Sequence, residues 1–266
     1  MSTAVEPPGS AVRRSRYRPT ARLMYGVAGV LGLLGLWEGV SRAGLVQTVL
    51  ISRPSDVAVT AYQELTSGPF WGNVESTLSV WIVGFLLASA IGIVIGLVSG
   101  VFRYVRYVTD PFLNATNVAP DLAFVPLLIL WFGIGFRFRL VLVLFIGTFY
   151  VAINTLAGVK STEGRWLRVA KSFGASRMRT FRTVLVPGSL PYIMTGLRQA
   201  ASRCLIGAVA SEFIAGNKGL GFMISLAGSF LQTSTVMFGI LLLALLGIIV
   251  SEIVGRLERR FDSWRI

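Results

Sequence analysis

An all-α integral membrane protein with six transmembrane helices is the fold class that three features of the sequence predict. Of its 266 residues 54% are apolar and only 14% charged, too little polar surface for a soluble domain of this length. Apolar runs of roughly 20 residues, enough to cross a bilayer core of ~30 Å, recur along the chain. The basic residues, 25 against 12 acids, gather at the ends of those runs.

In chain order, residues 1–22 carry prolines and five arginines, Arg13, Arg14, Arg16, Arg18 and Arg22, and read as a largely disordered cytoplasmic tail. Leu23 to Ser41 is the first span. A cleaved signal peptide ending near Ala43 is the competing reading, and the long preceding tail and full crossing length argue against it. Pro54-Ser55-Asp56 then starts a short helix with Val57, Ala61 and Leu65 on one face, which Gly68-Pro69 should stop. It reads as an amphipathic helix at the outer surface, either a linker or a brace that meets a receptor.

Thr77 to Val101 is the second span, and its Gly92, Gly96 and Gly100 recur every four residues, a spacing that lets helices approach closely in lipid. The third, Asp110 to Gly135, starts with Asn114, Asn117 and Asp121 among Pro111, Pro120 and Pro126. It must be kinked, with its polar half turned to other helices or to water. Arg137 and Arg139 read as a short outer turn before the fourth span, Leu140 to Val159. The fifth, Leu190 to Phe213, holds Arg198, Gln199, Arg203 and Glu212. An outer segment at 215–235 precedes the sixth span, Val236 to Gly255, and the cytoplasmic tail 256–266. The domain layout is therefore a tail at 1–22, a transmembrane domain at 23–255 with a cytoplasmic loop at 160–189, and a second tail.

Counting charges orients the spans. With both termini inside, eighteen basic residues fall in cytoplasmic segments and five, Arg42, Arg53, Arg137, Arg139 and Lys218, in outer ones. The positive-inside rule selects this N-in, C-in arrangement and places 160–189 in the cytoplasm.

Several function classes are excluded. No basic run is interleaved with aromatics in the way that tracks a nucleic-acid backbone. The single cysteine, Cys204, lies in an apolar run and forms no intrachain disulfide. There is no histidine, hence neither the usual near-neutral proton carrier nor the commonest zinc ligand, and no metal or catalytic residues are assigned. No phosphate-binding glycine loop appears, so ATP hydrolysis would have to occur in a partner.

The most informative stretch is Lys160 to Pro191, with seven Lys/Arg against the single acid Glu163. Trp166, Ala170 and Phe173 follow helical spacing on one face. Gly174 breaks that helix, and Ser176 caps a second one with the apolar face Met178, Phe181 and Leu185. Pro187 and Pro191 should end it. Two short amphipathic helices around a glycine read as a docking element; the bland reading is an ordinary basic loop.

The spacing Ala170, three residues, Gly174, nine residues, Val184, two residues, Pro187 resembles the cytoplasmic motif of the permease subunits of bacterial ABC importers. The first two motif positions depart from it, being Arg168 and Val169 in place of Glu and Ala. The runs LAFVPLLILWFGIG (Leu122 to Gly135), RVAKSFGAS (Arg168 to Ser176), VLVPGSLPYIMTGLRQA (Val184 to Ala200) and GLGFMI (Gly219 to Ile224) extend the likeness from about Leu33 to the C-terminus. The branch it resembles serves nitrate, sulfonates, taurine and related anions, and also thiamine precursors.

The resemblance implies a type I importer permease in the bacterial inner membrane. Two copies would form a homodimer around a central path, each docked on an ATPase subunit that uses ATP and magnesium, with an external binding protein delivering the solute. No cofactor would bind this chain itself. The coupling surface implied is Trp166, Ala170, Phe173, Gly174, Ala175, Ser176, Arg177, Val184 and Pro187.

For the path or its gate, the residues point to Asn114, Asn117, Asp121, Arg203 and Glu212. Arg203 and Glu212 are costly in a bilayer and should face water or a partner. Nine residues apart on one helix, they are separated by about 13.5 Å and cannot pair. Arg203 suits an anionic solute, or else bonds helix-end carbonyls or an acid on another span. Glu212 could brace an outer gate or make a helix-end contact, and Arg198 should snorkel to the cytoplasm. The asparagines and Asp121 line the path or satisfy a kinked backbone. Two alternatives remain: an ion-coupled secondary transporter working through Asp121 or Glu212, and an importer of a neutral, thiamine-precursor-like solute.

Overall fold

The computed structural model describes residues 19–44, 47, 50–118, 121–162 and 166–261, and every regular element among them is helical. Residues 1–18 of the predicted 1–22 tail, and Pro120 and Glu163, fall outside them, while residues 19–22 of that tail already belong to the first helix. The chain divides into two units at Ser55/Asp56.

The first unit holds α1 (Pro19–Arg42), whose Met24, Leu31 and Leu36 are all exposed. A helix apolar all round has lipid as its natural solvent. At its end Glu38 accepts from Arg42 Nε at 2.6 Å and from Ser55 N and Oγ at 3.1 and 3.0 Å.

The second unit comprises most of α2 (Pro54–Leu65), then α3 (Gly68–Val101), α4 (Arg103–Val118), a 3-10 turn (Asp121–Phe124), α5 (Val125–Phe132), α6 (Phe136–Thr162), α7 (Trp166–Ser172), α8 (Arg177–Thr180), a π turn (Phe181–Leu185), α9 (Val186–Ala215), α10 (Leu220–Ser229) and α11 (Thr233–Phe261). Its core is a stack in which α6 lies between α3 and α9.

The small-residue spacing read from the sequence sets that stack. A Cβ on Gly92, Gly96 or Gly100 would sit 2.5–2.7 Å from Val151, Thr155 or Val159, or from the carbonyls of Thr148 and Ala152. On the far side of α6, Gly147 and Gly158 lie against Cys204 and Tyr192 of α9 in the same way. Without a hydrophobic force between helices in lipid, such close approach supplies the packing energy.

Four boundaries differ from expectation. Gly68-Pro69 opens α3 rather than stopping α2, because proline is tolerated in a helix's first turn, where its missing N–H has no partner to lose. The third span is a sharp break: α4 and the 121–132 limb differ in direction by 100°. The helix after Ser176 is not ended by Pro187 and Pro191. Val186 N–H reaches back five residues to Phe181 O, and this wider turn carries the chain past Pro187 into α9. α11 continues to Phe261, so the expected tail begins as helix.

The sequence predicts six spans. Length and apolarity alone pick out four described helices, or five if the bent pair counts as one. α9 has the length, about 45 Å at 1.5 Å per residue, but carries Arg198, Gln199, Arg203 and Glu212. Packing against α3, α6, α10 and α11 buries Glu212, while Arg198, Gln199 and Arg203 stay on an exposed face of the helix.

Candidate coupling surface and polar path

The basic segment is built as two helix ends facing one glycine. α7 closes with a Schellman motif: Gly174 takes φ +67, and Ala175 N–H donates to Ala170 O at 3.0 Å, five residues back. Ala170 is thus half-buried and fixed by its carbonyl. Phe173 N–H bonds Val169 O, while its ring projects into solvent at 86% exposure. Ser176 then caps α8, its Oγ accepting from Arg179 N at 3.3 Å.

Ala175 and Arg177 line a groove of about 560 Å³ with Leu97, Val101, Met178 and Phe181, between the end of α3 and the basic segment. Val184 and Pro187 are half-buried where the π turn joins α9. Trp166 opens α7, and Asn117 lies in the last turn of α4; the side chains of both fall outside the described part. Arg106 braces this end by donating to Ser99 O at 3.1 Å and to Gly100 O, carbonyls that α3 leaves unpaired at its C-terminus.

Arg203 lies on an exposed face of α9. Its guanidinium sits over the Tyr150 ring of α6, 5.2 Å from the centroid, and within electrostatic reach of Asp121 at the broken span. The same face continues as a groove of about 440 Å³ lined by Tyr150, Thr195, Arg198, Gln199, Arg203 and Glu258. Asn154 of α6 donates to Gln199 Oε1 at 3.2 Å beside it. Asn114 is exposed on α4. Arg198, expected to snorkel, pairs with Glu258 of α11 at 3.0 Å, a partner 60 residues away that no local spacing announces.

Glu212 is elsewhere, 1% exposed at the opposite end of the bundle. Its carboxylate accepts from Thr77 Oγ1 of α3 at 2.9 Å, from Gly221 N at 2.9 Å and from Arg139 Nη1 of α6 at 3.3 Å. Arg139 also donates to Ser76 Oγ and to Lys218 O, while Asn73 Oδ1 accepts from Gly219 N at 3.0 Å. The cluster ties α3, α6, α9 and the turn into α10. Arg139, expected in an outer turn, is buried inside α6's first turns. The signal for it was Glu212 itself, since an intramembrane acid calls for a cation from another helix.

The sequence of this helical bundle also matches a known family directly: residues 89–263 fit the inner membrane component of binding-protein-dependent transport systems. The chain belongs to this family.

Among relatives of this permease, the taurine transport system permease protein TauC of Escherichia coli (strain K12) is 33% identical over 259 residues, 95% of this chain and 94% of its own. The riboflavin transport system permease protein RibX of Chloroflexus aurantiacus is 33% identical, covering 87% of each chain. Solved structures share the fold. An amino acid ABC transporter superposes with a TM-score of 0.64 at 17% identity, over 77% of this chain and 97% of its own. The MetNI methionine transporter gives 0.60 at 19%, over 74% and 100%.

The permease is thus a multi-pass inner membrane component of an ATP-driven importer, not an enzyme, and its family works with a separate ATPase and a substrate-binding protein. The secondary-transporter reading is set aside.

Proposed function

We propose that the permease couples to its ATPase through residues 160–189 and conducts a small sulfonate-like anion, working as a homodimer with both termini in the cytoplasm. The observation that carries the coupling reading is Phe173, an aromatic ring held out in solvent by a hydrogen-bonded turn on either side. ATP-driven closure of the ATPase pair has to move whole helices, so the contact must be a packed knob on a rigid mount. Trp166, Ala170, Gly174, Ala175 and Ser176 form that mount, Arg177 adds charge at its rim, and Val184 and Pro187 join it to α9. ATP and magnesium stay with the partner, and this chain binds no cofactor.

Arg203 supports an anionic solute, in keeping with the taurine and sulfonate permeases among its relatives. An exposed guanidinium well inside a span has to face water, and Tyr150, Gln199 and Asp121 share its side of the bundle. Asn114 and Asn117 belong to the same path, and Glu212 braces its outer gate.

The test is purification of the native chain and of Phe173→Asp from their own membranes, with magnesium-dependent ATP hydrolysis as readout. ATPase activity should accompany the native chain and be lost with the variant while both remain membrane-inserted. Equal activity with both would remove the coupling assignment.

A further inference from the structure

The groove beside Arg203 contains a feature that solute conduction alone does not require. Two arginines line it, Arg198 and Arg203, whose backbone positions are five residues or about 7.5 Å apart in rise along α9. They are treated differently. Arg198 is neutralised by Glu258, which also accepts from Thr195 Oγ1 at 3.0 Å, so both carboxylate oxygens are held. Glu258 is mostly sheltered at 16% exposure, and Arg198 lies against Gly255, where a Cβ would meet its guanidinium at 3.4 Å. Arg203 has no ion pair at contact distance among the described residues. It has the Tyr150 ring and the field of Asp121.

We propose that Glu258 is a tethered competitor for the transported anion, and that by occupying Arg198 it makes this groove a subsite for monoanions of the organic sulfonate kind. This rests on the reading of Arg203 as a path residue.

The physical reason is that a path must bind weakly enough to release. Two free arginines at this spacing would hold a dianion such as sulfate by paired charge-assisted bonds and retain it. With Glu258 in place, an incoming anion finds one available guanidinium, at Arg203. To pass toward the basic end of the bundle it must exchange with a carboxylate already seated on Arg198. Each exchange replaces one anion–guanidinium contact by another, so the solute meets no deep well. The same pair ties α9 to α11, so the exchange is felt by both helices.

The experiment is titration of the full-length permease in lipid nanodiscs with sodium ethanesulfonate and with sodium sulfate, followed by calorimetry. The native chain should bind ethanesulfonate and discriminate against sulfate. Glu258→Gln frees Arg198 and should raise sulfate affinity about tenfold, the worth of one added charge-assisted bond. Thr195→Val, which frees one carboxylate oxygen, should move it the same way by less. The double variant Arg198→Gln/Glu258→Gln again leaves one guanidinium and should return to the native preference, a recovery that general damage would not give. Unchanged sulfate affinity in both Glu258→Gln and Thr195→Val overturns the proposal, even if Arg203→Gln abolishes ethanesulfonate binding. If Arg203→Gln leaves ethanesulfonate binding intact, the path reading beneath it fails instead.

Discussion

Arg139 and Glu212, 73 residues apart in the chain, meet at 3.3 Å with their side chains 5% and 0% exposed. The pair joins α6 to α9, and through Thr77 and Gly221 it also fixes α3 and the entry to α10. Breaking a buried pair leaves an uncompensated charge, which costs far more than the pair itself contributes. Arg139→Met should therefore destabilise the permease by about 3–5 kcal/mol. Arg139→Met/Glu212→Gln should recover a large part of that loss, because no lone charge remains. Thermal unfolding of the native chain, Arg139→Met, Glu212→Gln and the double variant in the same detergent checks it; additive losses would mean that the two groups do not act as a pair.

What could be read in the sequence follows from the range of each interaction. Gly92, Gly96 and Gly100 announced a close helix contact, and the structure supplies one against Val151, Thr155 and Val159. Gly174 and Ser176 announced a turn and a cap, and both are present, because their partners lie within five residues. Arg139 and Glu258 carry no such local signal. Their partners are 73 and 60 residues away, and nothing local to an arginine near an apolar run distinguishes a loop charge from a buried one. The continuation through Pro187 is hidden for a related reason: a proline rule assumes the ordinary helical bond, and the π turn before it changes the register.

The stripe on α3 makes a second prediction. A methyl at Gly96 would meet Thr155 Cβ at 2.5 Å and Ala152 O at 2.7 Å, and a backbone carbonyl cannot move aside cheaply. Gly96→Ala should cost roughly 1–3 kcal/mol as overpacking. Gly247→Ala on α11, where nothing lies within 4 Å, should stay within about 1 kcal/mol of native. Melting temperatures of the two variants should differ accordingly, and equal values would dissociate the stripe from α3–α6 packing.

Cys204 offers a probe of the same stack from the other side. Its thiol is fully buried, faces Val143 O at 3.6 Å, and lies where a Cβ on Gly147 would sit. In intact membranes a maleimide reagent should leave it unlabelled, and after denaturation in dodecyl sulfate labelling should approach one per chain. Rapid labelling in the native state would mean that α6 and α9 separate at this level.

The turn at Gly174 permits a separation of mount from knob. Ser176→Ala removes the acceptor for Arg179 N–H and should cost about 1 kcal/mol of local stability. Gly174→Ala forces a side chain into φ +67 and should cost about 1–2 kcal/mol, although no atom lies near enough to clash. Both changes should increase trypsin cleavage at Arg168, Arg177 or Arg179 without altering the unfolding of the bundle, because these helix ends make few contacts with it. Phe173→Ala, by contrast, removes a ring that is 86% exposed and should leave the cleavage pattern unchanged while weakening retention of the ATPase. Ser176→Asp keeps an acceptor at the cap and should restore native trypsin resistance. If Phe173→Ala became as sensitive to trypsin as Gly174→Ala, the ring would be part of the turn's own stability, and its exposure could no longer be assigned to a partner.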